Sequence, residues 1–159
     1  MAHFSRTVPA PEVIGSGGYT LFRPFVRHDF SQCCAHCLLH EFWAGGEHNF
    51  ELDHFRPVSR FPGRERDFYN LYYACHVCNQ TKRDHWPSPD LQQRGVHLVD
   101  LCRDDFGQHY RLREEDGVLE PLTEAARYTI LLLRLNSEHL VRLRVFAARH
   151  GFRLDSPPD

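Results

Sequence analysis

Two short cysteine pairs, Cys34-Ala-His-Cys37 and Cys75-His-Val-Cys78, stand 37 residues apart and restrict what this chain can become. Two residues between thiolates let both sulfurs reach one ion from a tight turn. Two such turns complete a tetrahedral four-sulfur shell, whose usual occupant is zinc. Cys33 could replace Cys34, but its spacing to Cys37 would then be one residue too long, so Cys34 is preferred. A thiol redox site needs a single Cys-x-x-Cys in a βαβ setting and leaves the second pair unexplained. Cys102 has no partner in sequence and reads as a buried structural thiol. A closed four-sulfur zinc has no open coordination position. Its work is therefore to clamp two segments that are distant in sequence.

The clamped segments bracket Glu51-Leu-Asp-His-Phe55. This alternation predicts a strand end, with Leu52 on one face and Glu51 and Asp53 on the other. A second strand is expected over "NLYYAC", and a helix from "HVCNQTKRDHW", stopped by Trp86-Pro87-Ser88-Pro89. By this reading the zinc draws the start of that helix, around Asn79, toward the strand carrying Asp53 and His54. A carboxylate beside an imidazole suits a metal ligand next to a general base. Asn70 also reads as a turn residue, Asn79 as a helix cap and Lys82 as a solvated lysine.

The remainder supplies the frame. Residues 1 to 18 read as an irregular arm punctuated by Pro9, Pro11, Gly15, Gly17 and Gly18. "YTLFRPFVRHDF" reads as core-packed aromatic sequence in which Pro24 interrupts any helix. "CCAHCLLHEFW" suggests a turn and a short helix burying Leu38, Leu39, Phe42 and Trp43. "HYRLREEDGVLEPL" predicts a hairpin turning at Asp116-Gly117. Two helical patterns follow, with stripes Tyr128, Leu131, Leu132, Leu135 and Leu140, Leu143, Ala147. Pro157-Pro158 reads as the end of a loose tail. A chain of 159 residues is long enough for one domain with its own core.

The net charge of −2 excludes a globally basic nucleic-acid coater. Between Asp53 and Arg83, however, six cations face three anions. Arg56 and Arg60 lie in that stretch and are candidates for contact with backbone phosphates, which gives affinity without sequence choice. No apolar run reaches membrane-spanning length, and the N-terminus lacks a secretory apolar core, so an intracellular, cytoplasmic location is expected. Twelve histidines raise the prior for metal binding without marking a site.

Read in order, "CAHC", "ELDHFRP" and "YNLYYACHVCNQTK" resemble the HNH endonuclease family, in its four-cysteine branch. The motif match spans about residues 34 to 86, and the flanks look like those of bacterial HNH proteins carrying a "DHFRP" motif. The resemblance implies an α+β fold: a ββα-metal core stapled by a four-cysteine zinc, with N-terminal aromatic segments and a C-terminal hairpin and helical pair over residues 108–150. It implies a DNA endonuclease that leaves a 5′-phosphate and a 3′-hydroxyl, with RNA as the other possible substrate. His54 matches the general base, Asp53 and Asn79 the ligands of a catalytic Mg²⁺ or Mn²⁺, and Asn70 the brace of the loop carrying the base. Lys82 matches a residue that reaches a phosphate. The position of Asn79 is often histidine in the family. The competing expectation is a zinc-stabilised module that binds nucleic acid or protein without catalysis.

Overall fold

The computed structural model describes residues 3–7 and 18–157. Most of the expected N-terminal arm, and Pro158 of the expected tail, lie outside the described residues. At its centre two antiparallel strands, β1 (Phe50–His54) and β2 (Leu71–Cys75), pair with Phe50 opposite Cys75, Asp53 opposite Tyr72 and His54 opposite Leu71. All five β2 residues are buried, as in a strand covered on both faces. Helix α1 (Arg23–Asp29) packs against β2, and α2 (His76–Lys82) packs against both strands. Strand, strand and helix thus follow one another in a ββα unit. Mixed helix and strand with small antiparallel sheets is the α+β class expected from the sequence.

Pro24 does not break the first helix. It occupies the first turn of α1, where a missing N–H costs nothing and the fixed φ favours helix. The helix expected after the first cysteine pair is absent: residues 34–46 form successive turns, and Phe42 is exposed. Leu38 adopts φ +61°, and its N–H donates to the Cys34 carbonyl at 3.0 Å. That closes a knuckle rather than propagating a helical turn.

The core joins Phe22, Val26 and Phe30 to Phe50, Phe55, Leu71, Tyr72 and Tyr73. Residues 3–7 enter it. Arg6 donates to the carbonyls of Leu71 and Phe68, both at 2.8 Å, and reaches Asp29 at 3.3 Å. Its guanidinium lies over the Phe30 and Phe68 rings. Two short helices and a hairpin then lead into the C-terminal part: α3 (Pro89–Gln93), α4 (Phe106–His109), and β3 (Tyr110–Leu112) paired with β4 (Leu119–Pro121). Helix α5 (Glu124–Leu133) packs on β4 and α2, with Ala125, Ala126, Thr129, Ile130 and Leu133 buried. Leu131 is 72% exposed, so the buried stripe is rotated from the one the sequence suggested. Helix α6 (Glu138–His150) buries Leu140 and Ala147 and ends at Gly151. Among the described residues no helix is long and apolar enough to cross a membrane.

Gly117 sits in the β3–β4 turn at φ +71°, and a Cβ there would lie 2.5 Å from the Val141 carbonyl oxygen of α6. Gly151 has φ +68° with open space around it. Gly117→Ala therefore adds a backbone clash to the left-handed penalty and costs about 2–4 kcal/mol, whereas Gly151→Ala costs about 1 kcal/mol. Urea unfolding of the two variants checks this as a larger loss of midpoint for Gly117→Ala at constant slope.

Candidate active site

The four cysteines converge. The Sγ atoms of Cys34, Cys37, Cys75 and Cys78 all lie within 4.8 Å of one another, and Cys37 and Cys75 approach to 3.9 Å. Zinc–sulfur bonds of about 2.3 Å in a tetrahedron set sulfurs roughly 3.8 Å apart. The spacing fits one zinc and far exceeds a disulfide. Local structure explains the convergence. Cys75 ends β2 and caps α2, so Cys78 comes round within the first turn of the helix. The first knuckle is held to the same strand by Ala35 N–H donating to the Tyr73 carbonyl at 2.7 Å. Burial pushes the Cys33 thiol up to about 12 and the Cys102 thiol up to about 11. Both stay protonated at neutral pH and outside the quartet.

Beside the zinc shell, β1 is clamped to both of its neighbours through one carboxylate. Asp53 is 3% exposed. Its Oδ2 contacts His36 Nε2 at 3.0 Å, and its Oδ1 accepts from Lys82 Nζ at 2.8 Å. Lys82 is fully buried and donates also to the His54 carbonyl at 2.7 Å. Burial alone would push the Asp53 carboxyl up. The His36 hydrogen bond and the Lys82 charge instead hold it below the usual carboxylate range.

Two expectations change here. Lys82 does not extend toward a phosphate; its ammonium is spent inside the protein. Asp53 does not offer an open oxygen, and the structure does not pair it with Asn79. Asn79 instead donates from Nδ2 to Glu51 Oε2, and Glu51 Oε1 meets His76 Nδ1 at 2.9 Å. Burial raises the Glu51 carboxyl, but hydrogen bonds from Asn79 and His76 outweigh it and keep the group ionised. Glu51, Leu52 and Asn79 line a cavity of 320 Å³ with Tyr19, Thr20 and Arg23. An amide that donates through Nδ2 leaves Oδ1 able to accept. Glu51 and Asn79 thus present oxygens at this opening, beside the hydroxyl-bearing Tyr19 and Thr20 and the cationic Arg23.

His54 projects from the end of β1. Its ring packs edge-on against Tyr19 at 4.9 Å, and Nε2 lies 2.9 Å from the Glu65 carbonyl. A carbonyl can only accept, so Nε2 carries the proton in that bond and Nδ1 is left with its lone pair. Asn70 is buried. It accepts from Arg56 N–H at 2.8 Å and donates to the carbonyls of Arg56 at 3.0 Å and Arg64 at 3.1 Å. The two ends of the loop that holds Glu65 are thus tied to one side chain. Arg56 is half-buried, with its guanidinium 5.8 Å from both the Phe61 and Trp86 rings. Arg60 and Arg66 are exposed, and Arg64 pairs with Asp67.

Sequence reasoning missed His36 and Tyr19, and placed Glu51 on the Asp53 face of the strand without giving it a role. His36 lies inside the first Cys-x-x-Cys, which places it next to the strand whenever the knuckle closes; that was the available signal. Tyr19 had none, because its approach to β1 depends on tertiary packing.

The family model described as HNH endonuclease matches residues 34–85, about a third of the chain. That segment contains the four cysteines, β1, β2 and α2. No curated protein matches the chain.

Proposed function

We propose, from the premise that residues 34–85 are an HNH endonuclease domain, that this protein hydrolyses phosphodiester bonds in DNA. The observation that carries the reading is the state of His54. One nitrogen is committed to the Glu65 carbonyl and the other is free to accept a proton. In that tautomer Nδ1 takes the proton from an attacking water, and the Glu65 carbonyl stabilises the imidazolium that forms. Asn70 keeps the Glu65 loop in place and so holds the ring in line. Arg60 and Arg66 bind the nucleic-acid backbone through charge alone.

The donor set at the cavity fits a hard cation, Mg²⁺ or Mn²⁺, held by the Glu51 carboxylate and Asn79 Oδ1. When bound, such an ion neutralises charge on the phosphoryl oxygens and stabilises the leaving alkoxide. Asp53 serves this site as a positioning residue. It fixes the backbone of β1 between Glu51 and His54 rather than touching the ion.

Plasmid nicking tests the proposal. Wild-type protein nicks supercoiled DNA in Mg²⁺ or Mn²⁺ and is silenced by EDTA. His54→Ala lowers the rate by about 10²–10⁴-fold with zinc content and circular dichroism unchanged. Glu51→Ala shifts the divalent-cation titration to higher concentration, whereas an unchanged titration removes Glu51 from the ion's shell. Undiminished nicking by clean His54→Ala protein overturns the mechanism. A non-catalytic nucleic-acid-binding module is the second reading, favoured by the internal saturation of Asp53. It is supported if wild-type protein binds DNA in a salt-sensitive way and does not cleave it.

A further inference from the structure

A second cluster of metal-ligating side chains lies outside the HNH segment. His97 follows α3, Asp104 belongs to the turn before α4, and His109 is the last residue of α4. One ligating atom from each lies within 4.8 Å of the other two. His97 Nε2 and Asp104 Oδ2 are 3.5 Å apart. That is long for a hydrogen bond between charged partners. It matches the roughly 3.3–3.5 Å that separates two ligands of one tetrahedral ion with bonds near 2.0–2.2 Å.

Each of the three side chains is held by a further hydrogen bond. His97 Nδ1 lies 3.1 Å from the Gly95 carbonyl, which obliges Nδ1 to donate and turns Nε2 outward as a lone pair. His109 Nδ1 lies 2.8 Å from Thr123 Oγ1, the hydroxyl that also caps α5 by accepting from Ala126 N–H. Asp104 Oδ2 accepts from Asp100 N–H at 2.8 Å. Asp100 itself accepts from the buried Tyr72 hydroxyl at 2.7 Å. Outer hydrogen bonds of this kind set imidazole tautomer and carboxylate aim in metal sites. Leu98, Val99, Asp100 and Leu101 are buried, so the backbone carrying the first two ligands is anchored. His97 keeps 47% of its side chain exposed, which leaves the ion a path from solvent.

We propose that His97, Asp104 and His109 form a second metal site, for a divalent transition ion of which zinc is the natural probe. Two imidazoles and one carboxylate suit zinc or cobalt better than magnesium. Three protein ligands leave a coordination position for water, unlike the closed four-sulfur shell. The bound ion latches residues 97–104 to the start of β3.

The two sites separate spectroscopically. Added Co²⁺ gives visible d–d absorption without the near-ultraviolet thiolate-to-cobalt band when it enters a nitrogen and oxygen shell, and gives both when it enters the cysteines. Wild-type protein is expected to retain about two zinc ions per chain after equilibration with micromolar zinc, against about one for His97→Ala/His109→Ala. Asp104→Asn, which preserves an acceptor for Asp100 N–H, is expected to weaken the second ion with the fold intact. If the wild type holds a single zinc and gains no thiolate-free cobalt absorption, the proposal is overturned. It is equally overturned if the double variant keeps the second ion, since that ion then lies elsewhere. Neither result bears on plasmid nicking, so the site stands or falls apart from the nuclease reading.

Discussion

Removal of zinc from the four cysteines unfolds the ββα unit. Zinc in a four-cysteine shell contributes on the order of 10 kcal/mol of apparent free energy at neutral pH. A protein of this size holds about 5–15 kcal/mol in total. The loss is therefore comparable with the whole stability. The position of the four cysteines makes the damage central: Cys75 is at once the last residue of β2 and the cap of α2, and Cys34 adjoins Ala35, which is bonded to Tyr73. Treatment with a tight chelator, or Cys75→Ser, is expected to abolish the cooperative thermal transition and most near-ultraviolet circular dichroism. Readdition of zinc restores both in the chelated protein. Chelated protein that melts at the same temperature as the loaded form would refute a folding role for the ion.

Lys82→Ala has the next largest effect. The substitution leaves the Asp53 carboxylate buried with His36 as its remaining side-chain partner, and an uncompensated buried charge costs about 3–5 kcal/mol. Because Lys82 is fully buried with its ammonium also bonded to the His54 carbonyl, no solvent screens the loss. Replacing both partners by apolar residues, Asp53→Leu with Lys82→Met, recovers a substantial part of it, since the desolvation cost disappears along with the attraction. Equilibrium denaturation of the single and double variants reads the coupling directly. The acid limb carries the same signature. Asp53 is held below the usual carboxylate range when folded, so its contribution is fully present above the unfolded carboxyl's pKa and is lost as pH falls from there through the lower folded pKa. Lys82→Ala flattens this part of the stability profile. A Lys82→Ala protein as stable as wild type would mean that Asp53 finds another partner.

The zinc shell was legible because ligand spacing is a local property: two residues between thiolates mean the same thing in any fold. Strand β1, strand β2 and helix α2 were legible for related reasons of alternation and capping. Lys82 was not. A lysine four residues beyond Cys78 reads as solvated unless one knows that α2 lies with that face on β1, and only the packed structure turns Lys82 toward Asp53. The same blindness affected Asp53, whose acidity suggested an ion ligand while its burial assigns it to the protein's own cations. Leu131 failed in the opposite sense. An apolar run "ILLL" offers no polar residue to mark the wet face, so the phase of the helix is set by its neighbours β4 and α2 rather than by its composition. Pro24 was read as a breaker because its effect depends on where in a turn it falls.

The segment after α6 closes back on the first knuckle. Leu154 accepts from His40 N–H at 2.7 Å, the Trp43 indole donates to the carbonyls of Arg153 at 3.0 Å and Ser156 at 2.8 Å, and Cys33 Sγ lies 3.2 Å from the Asp155 carbonyl. These contacts span more than a hundred residues of chain. Long-range closures of that kind slow folding, because loop entropy is lost before the contact rewards it. On a ribosome they impose an order: the knuckle and the strand that carries His54 emerge early but gain this support only once residues 153–156 have been made. Nascent chains thus carry an incompletely buttressed site until residues 153–156 have left the ribosome and docked on the first knuckle.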